Sequence, residues 1–495
     1  MRCRNTMMAV VAIASLAACT EDAVTPTATI EPRLAAHTTS AVDGVDTYLV
    51  RFKGSGVPAG FKASVEALGG QVIFAHKIGI AAVAGIQGSS VDAIARMSTV
   101  SGVDADVHTI LDPVGPVTTE AASSVESPAD PATALRFSRQ WNLKTIKADV
   151  AWAAGKRGNP GVKVGIIDTG IDYLHPDLFG RVDMDLSRSF LSDAENARVT
   201  AAWPGAPFWV DLHYHGTHVA ATAVSNAYIY AGVGSESKLV ALRVCSPGTA
   251  ANGFNASCPT SSVLNAILYA ADNGIQIVNL SLGGYFDRRL ASARGGFPPS
   301  FIATINQVMN YARTNGTTVV VSAGNGDPAT GIGFNLDADG NSFKAYCSAS
   351  SVICVSATGP TGAAGLNGPW ANIDALASYS NYGRSAISVA APGGYAVSVT
   401  AACSGFTIHP SLLVCRSRFF NSPTDWSAFS VGVSGTSMAS PHVAGLAALI
   451  AANGVNTPAA IQSILQKSAD DLGQPGVDPA YGKGRINASR AVGAL

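Results

Sequence analysis

Ser434-Gly435-Thr436-Ser437-Met438-Ala439-Ser440-Pro441-His442-Val443-Ala444-Gly445, continuing into Leu446-Ala447-Ala448-Leu449-Ile450, decides how this chain is read. Gly435 permits a tight turn, and the apolar run after it reads as a buried helix. Ala439 and Gly445 are small enough for that helix to lie close to its neighbours. Ser437 falls at the helix start, where unpaired N–H groups and the macrodipole favour negative charge. That position suits a plain N-cap or a nucleophile whose attack creates an oxyanion.

Two further stretches separate these alternatives. Lys163-Val164-Gly165-Ile166-Ile167-Asp168-Thr169-Gly170 reads as a buried strand ending in a carboxylate, and His213-Tyr214-His215-Gly216-Thr217-His218-Val219-Ala220 as a loop entering a helix. Together the three blocks resemble those of the subtilisin-like serine peptidases: the strand-end DTG, the first His of HGTHVA and the Ser of GTSMASPH. The resemblance implies that Asp168 orients His215, His215 is the general base and Ser437 the nucleophile. The order Asp, His, Ser is the subtilisin order. It excludes an α/β-hydrolase elbow at Gly435-x-Ser437-x-Ala439, whose Asp and His must follow the Ser. Only His442 follows, one helical turn away. A zinc site at His213-x-His215-x-x-His218, with Asp211 adjacent, would leave the Asp and Ser blocks unexplained.

From Leu135 onward, strand and helix patterns alternate. Strand candidates are 162–168, 238–244, 277–282, 317–322, 352–357 and 388–391, Val- and Ile-rich runs suited to burial on both faces. Helix candidates are 215–226, 261–272, 301–314, 437–452 and 458–468. The fold class is α/β, a three-layer, doubly wound, mostly parallel sheet, with the site at its strand C-terminal edge. The resemblance implies seven strands.

In Val319-Val320-Val321-Ser322-Ala323-Gly324-Asn325, the resemblance makes Asn325 a side-chain donor to the oxyanion, beside the Ser437 N–H. It makes Asn279-Leu280-Ser281-Leu282-Gly283-Gly284 the segment that pairs with extended substrate. Ser281, Leu282 and Gly283 would form one pocket wall, Ala323 and Gly324 another. Small apolar walls imply an apolar or aromatic residue before the cut.

The bulk composition fits an exported globular protein. The 495 residues are 47% hydrophobic and 13% charged, with net charge −1, so a large core is affordable and no basic patch suggests nucleic acid. Residues 1–19 read as a targeting segment too short to span a bilayer. Leu16-Ala17-Ala18-Cys19 resembles a bacterial lipoprotein signal, which would lipidate Cys19 and, with Thr20 following, direct the precursor to the outer membrane; an ordinary signal peptide is the alternative. Residues 20–45 read as a tether. Residues 46–112 read as a βαββαβ, ferredoxin-like domain, with Ser89 capping its second helix and a last strand over 103–111. Its place before the main domain resembles the family's inhibitory propeptide, whose C-terminal tail runs through the active site. Residues 113–134 read as an exposed, aperiodic linker suited to processing, and 135–495 as the peptidase domain. The expected partners are protein or peptide substrates and the chain's own propeptide; the membrane is reached only through the anchor, and the chain is expected to be a monomer that could be released by processing.

Apart from Cys3 and Cys19, six cysteines remain: Cys245, Cys258, Cys347, Cys354, Cys403 and Cys415. Sequence neighbours are expected to pair, although six cysteines allow fifteen arrangements. No cofactor is needed for the chemistry. Structural calcium is compatible with the resemblance, and Asp337-Ala338-Asp339-Gly340-Asn341 resembles the start of a calcium loop without its closing Glu. The rival from another class is a catalytically silent binding protein of the same fold, which would have no need of Asp168, His215, Ser437 and Asn325 together.

Overall fold

The computed structural model describes residues 46–111, 114–122, 130–248, 255–283, 285–287, 299–327, 330–338, 342–395, 403–408 and 428–494. The targeting segment, Cys19, the tether and Cys415 lie outside them.

The N-terminal domain runs β1 (Thr47–Phe52), α1 (Phe61–Ala67), β2 (Gln71–His76), β3 (Ile80–Ala84), α2 (Ser89–Ala95) and β4 (Val100–Ala105). Its sheet order β2-β3-β1-β4, all antiparallel, is ferredoxin-like. One face buries Val50, Phe52, Val83 and Val100 against Phe61, Val65 and Ile94 of the helices. The other places Leu49, Ile80 and Ala82 in the main domain's core. Ser89 is not the cap of α2: Gly88 is, without a side-chain hydrogen bond.

The strand expected over 103–111 is divided. β4 ends at Ala105, and β5 (His108–Leu111) leaves the sheet to pair with the main domain. The break follows from what Asp106 and Val107 do. The Asp106 carboxylate accepts the Ser261 N–H at 3.0 Å and the Ser261 hydroxyl, while the Val107 carbonyl accepts Thr260 N–H at 3.0 Å. They cap a helix that has no side-chain cap of its own, the one beginning at Thr260. Residues 114–122, read from sequence as linker, form β6 (Val114–Ala122). That pairing is with a strand more than 300 residues away, so no local period announced it.

The main domain opens with α3 (Trp141–Thr145) and α4 (Ala148–Ala153). There follow β7 (Lys163–Asp168), β8 (Arg188–Ser189), α5 (Asp193–Ala202), α6 (His215–Ala223), β9 (Lys238–Arg243), β10 (Ser246–Pro247), β11 (Ala256–Pro259), α7 (Thr260–Asp272), β12 (Ile277–Leu280), β13 (Tyr285–Asp287), α8 (Pro299–Thr314), β14 (Thr318–Ser322), β15 (Ser342–Lys344) and β16 (Ile353–Gly359). After these come β17 (Gly362–Ala363), β18 (Trp370–Ala371), β19 (Ala375–Leu376), β20 (Val389–Pro392), β21 (Cys403–Ile408), β22 (Ala428–Ser434), α9 (Thr436–Ala452), α10 (Pro458–Ser468) and α11 (Ala488–Ala491).

Seven strands in the order β20-β16-β14-β12-β7-β9-β8 are parallel throughout, with short β19 antiparallel at one end of β16. Helices cover both faces, and each face has its own core. α6 and α9 lie on one side with Val164, Ile166 and Val320; α7 and α8 lie on the other with Ile167, Val278 and Val319. α9 is buried from Thr436 to Ala451. Gly445 lets it cross α6 closely, because a Cβ there would lie 2.7 Å from the Ala223 carbonyl.

Candidate active site

Three adjacent parallel strands, β14, β12 and β7, deliver site residues at their C-terminal ends: Asn325 just after β14, Ser281 just after β12, and Asp168 at the end of β7. Neighbouring strands stand about 4.8 Å apart. Side chains fixed to these ends therefore gather at one edge.

Asp168 is fully buried and grips His215: Oδ1 lies 2.9 Å and Oδ2 3.0 Å from the imidazole Nδ1. Its Oδ1 also accepts the Thr169 N–H at 2.7 Å. His215 is the first residue of α6, and side chains around it satisfy that helix's open N–H groups. Gly216 N donates to Thr169 Oγ1 at 2.9 Å, and Thr217 N to Asp211 Oδ2 at 3.0 Å. Asp211 is therefore a buried helix cap. It also receives the Thr217 hydroxyl and the His213 N–H. Burial pushes the His215 pKa down, but the charge and hydrogen bond of Asp168, helped by the Asp211 charge, outweigh it and leave the value raised.

Ser437 lies in the first turn of α9, eight per cent exposed. Its Oγ donates to the Ser281 carbonyl at 3.0 Å, and Ser281 Oγ donates to the Ser437 carbonyl at 2.8 Å. Asn325 is oriented by Thr436: its Oδ1 accepts both the Thr436 N–H at 2.9 Å and the Thr436 hydroxyl at 2.8 Å. Because a backbone N–H can only donate, the oxygen must face Thr436 and the NH2 group faces away. A Cβ at Gly435 would lie 3.6 Å from both Asn325 Nδ2 and the Ser437 backbone nitrogen. Two N–H donors thus flank the serine hydroxyl's own turn. Such an arrangement can hold a developing oxyanion.

His442 plays a different part. Its Nδ1 donates to the Met438 carbonyl at 2.7 Å and its Nε2 accepts from Asn142 Nδ2 at 2.8 Å, with burial pushing the pKa down to about 4. It is a neutral core histidine. Among the described residues no three His, Cys, Asp or Glu side chains are grouped to hold a metal ion.

A protein-family profile, "Subtilase family", matches residues 159–484. The chain belongs to the subtilase family.

Among its relatives, the Thermophilic serine proteinase of Bacillus sp. (strain AK1) is 32% identical over 356 residues, 71% of this chain and 67% of that protein. Thermitase of Thermoactinomyces vulgaris is 30% identical over 366 residues, 72% of this chain and 96% of thermitase. Subtilisin Savinase of Lederbergia lenta is 30% identical over 357 residues, 71% of this chain and 98% of that protein. In fold, the chain is similar to the epidermin leader peptide processing serine protease of Staphylococcus aureus, with TM-score 0.64, 19% identity, and coverage of 90% of this chain and 98% of that one. This subtilase is a serine endopeptidase.

The Ser281–Gly283 and Ala323–Gly324 segments meet at a residue the sequence did not single out. Lys344, three per cent exposed at the end of β15, donates from Nζ to the Gly283 carbonyl. A Cβ at Gly283 would lie 3.0 Å from Nζ, and one at Gly324 2.8 Å. Gly324 also has φ +93°, so both space and backbone call for glycine. Burial pushes the Lys344 pKa down to about 7. No motif marks Lys344; its position depends on β15 pairing with β13, directly after Gly283. Leu282, Ser281 and Ala323 are buried beside these glycines.

Two expected disulfides are formed, Cys245–Cys258 and Cys347–Cys354. Cys258 sits in β11 and Cys354 in β16. In the calcium-like stretch, the Asp337 carboxylate accepts the Ser385 N–H at 3.0 Å and the Ser385 hydroxyl; residues 339–341 lie outside the described residues. Among the described residues no helix is long and apolar enough to cross a membrane.

Proposed function

We propose that this subtilase cuts peptide bonds with Ser437 as nucleophile, His215 as general base and acid, and Asp168 as the group that orients His215. The observation that carries the reading is the bidentate Asp168–His215 contact on β7, one strand from the Ser281 segment that holds Ser437. Asp168 accepts Nδ1–H and so leaves Nε2 to take a proton. For attack, the Ser437 hydroxyl turns from the Ser281 carbonyl to Nε2, since catalytic hydrogen bonds often form only with substrate bound. The tetrahedral oxyanion is held by Asn325 Nδ2–H and the Ser437 N–H. His215 then protonates the leaving amine, and water hydrolyses the acyl-enzyme by the same route in reverse.

Residues 46–112 act as a propeptide that inhibits and supports the enzyme. β5 pairs antiparallel with β11, Leu111 opposite Ala256, and β6 pairs with β22, Val114 opposite Ser434. The chain thus travels from one rim to a point three residues before Ser437. Asp106 and Asp104 meet the starts of α7 and α8, Asp104 through Ser300 Oγ at 2.7 Å. Cleavage between residues 111 and 135 would separate the domains. Substrate then takes the place of β5 against β11, and its main chain also adds to the Ser281–Gly283 segment. Leu282 and Ala323 offer apolar contact to the residue before the cut, while Lys344 gives the same pocket a charged floor.

Export as a precursor lipidated at Cys19 and action as a monomer complete the reading. A fluorophosphonate that labels the processed protein, but not its Ser437→Ala variant, is the expected result; equal labelling of both would remove Ser437 from the mechanism.

A further inference from the structure

We infer that Lys344 sets the specificity of this enzyme, making the pocket for the residue before the cut prefer a carboxylate side chain, Glu or Asp, over an aromatic or aliphatic one. The inference rests on the reading of Ser281–Gly283 and Ala323–Gly324 as that pocket's walls.

The geometry leads there in three steps. First, the ammonium stands where the two walls come together. It lies within 3.0 Å of the positions that side chains at Gly283 and Gly324 would take, and both residues are glycine. Any side chain entering between the walls therefore meets Nζ. Second, the ammonium is under-partnered. Lysine has three N–H donors. Among the described residues Nζ has one acceptor, the Gly283 carbonyl, and no carboxylate within salt-bridge distance. Third, the ammonium is buried, with Lys344 three per cent exposed. A buried charge without a counter-ion is costly, and a partner of opposite charge relieves that cost. A Glu or Asp side chain brings such a partner and accepts the spare N–H groups. A phenyl ring or an alkyl chain leaves the ammonium as it was and takes away what water reaches it. A lysine or arginine is repelled. The lowered pKa of Lys344 has the same origin, and a bound carboxylate would raise it again.

A purely structural lysine, tying β15 to Gly283, is the competing account. The two differ in selectivity. The test uses processed enzyme and peptides identical except for Glu, Gln, Phe or Lys before the cut, with active sites counted by fluorophosphonate titration so that only folded enzyme enters kcat/KM. The wild type is expected to cleave the Glu peptide at least tenfold better than Gln or Phe, and Lys poorest. Lys344→Met keeps the length without the charge. It is expected to lose tenfold or more on Glu and to reverse the Glu-to-Phe ranking. A wild-type preference for Phe over Glu, or a Lys344→Met ranking equal to wild type, overturns the inference. Leu282→Ala separates that failure from failure of the pocket reading. If Leu282→Ala changes the Phe ranking while Lys344→Met changes nothing, the walls stand and Lys344 is structural. If neither moves any ranking, the walls themselves are misassigned.

Discussion

Ser281 and Ser437 exchange hydrogen bonds, each hydroxyl donating to the other's carbonyl, at 2.8 and 3.0 Å. The cause lies one turn further on. Pro441 stands inside α9 and has no N–H, so the Ser437 carbonyl lacks its i+4 donor. Ser281 Oγ supplies it, with Asn279 Nδ2 donating to that hydroxyl at 2.8 Å. The backbone of Ser437 is thereby fastened to the C-terminal end of β12.

Removing this hydroxyl should be felt in stability. Ser281→Ala leaves a buried carbonyl unsatisfied and is expected to cost about 1–3 kcal/mol. A urea titration of the inactive Ser437→Ala background with and without Ser281→Ala measures it; an unchanged midpoint would show that Ser440, whose Oγ lies 2.9 Å from Ser281 Oγ, takes over.

Asn325 divides into two halves with different work. Asn325→Asp keeps the oxygen that Thr436 holds and removes the NH2 donor. kcat should fall about 100- to 1,000-fold with KM little changed, as for loss of one oxyanion donor. A large rise in KM at constant kcat would instead place Asn325 in ground-state binding.

The pH dependence follows from His215. In the proposed role of base it must be neutral, and its pKa is raised above the ordinary 6.5. Acidification therefore protonates it at a higher pH than a free imidazole, and the acid limb of kcat/KM should have its midpoint above 6.5. Asp168→Asn removes the main charge holding it up and should fold while losing about 10⁴-fold in kcat. A folded, fully active Asp168→Asn enzyme would contradict the assignment.

Docking of the N-terminal domain carries its own pH signature. Burial raises the Asp106 pKa from 3.8 to about 6, against the hydrogen bonds from Ser261, Val107 and Thr260 that favour the anion. A raised carboxyl pKa means that the docked state binds the proton more tightly. Its contribution to stability is greatest at low pH and is lost between pH 3.8 and about 6 as the group ionises. Asp106→Asn in the Ser437→Ala precursor should therefore lose less stability than its parent between pH 4.5 and 7.5, read by thermal unfolding at both values. Parallel curves would assign the titration elsewhere.

The parts of this molecule legible in sequence are those written in short local patterns. β7, β12 and β14 are continuous Val/Ile runs because both faces are covered, and Asp168, His215, Asn325 and Ser437 sit at their ends or at helix starts. α5 leaves only its cap in the sequence, Ser192-Asp193-Ala194-Glu195, where Ser192 Oγ accepts the Glu195 N–H at 3.3 Å; its Asp193–Ala202 stretch is too polar to show a period. β6 and Lys344 were illegible for a different reason. Each takes its place from a partner distant in sequence, β22 for β6 and the Gly283 and Gly324 turns for Lys344, and nothing in its own neighbourhood encodes that pairing.

The most direct measurement is the intact mass of purified wild-type precursor beside Ser437→Ala after incubation at neutral pH. The account predicts that the wild type divides between residues 111 and 135 while the variant stays whole. Identical division of both proteins would contradict self-processing by Ser437, and a wild type that remains whole through prolonged incubation would contradict the precursor reading.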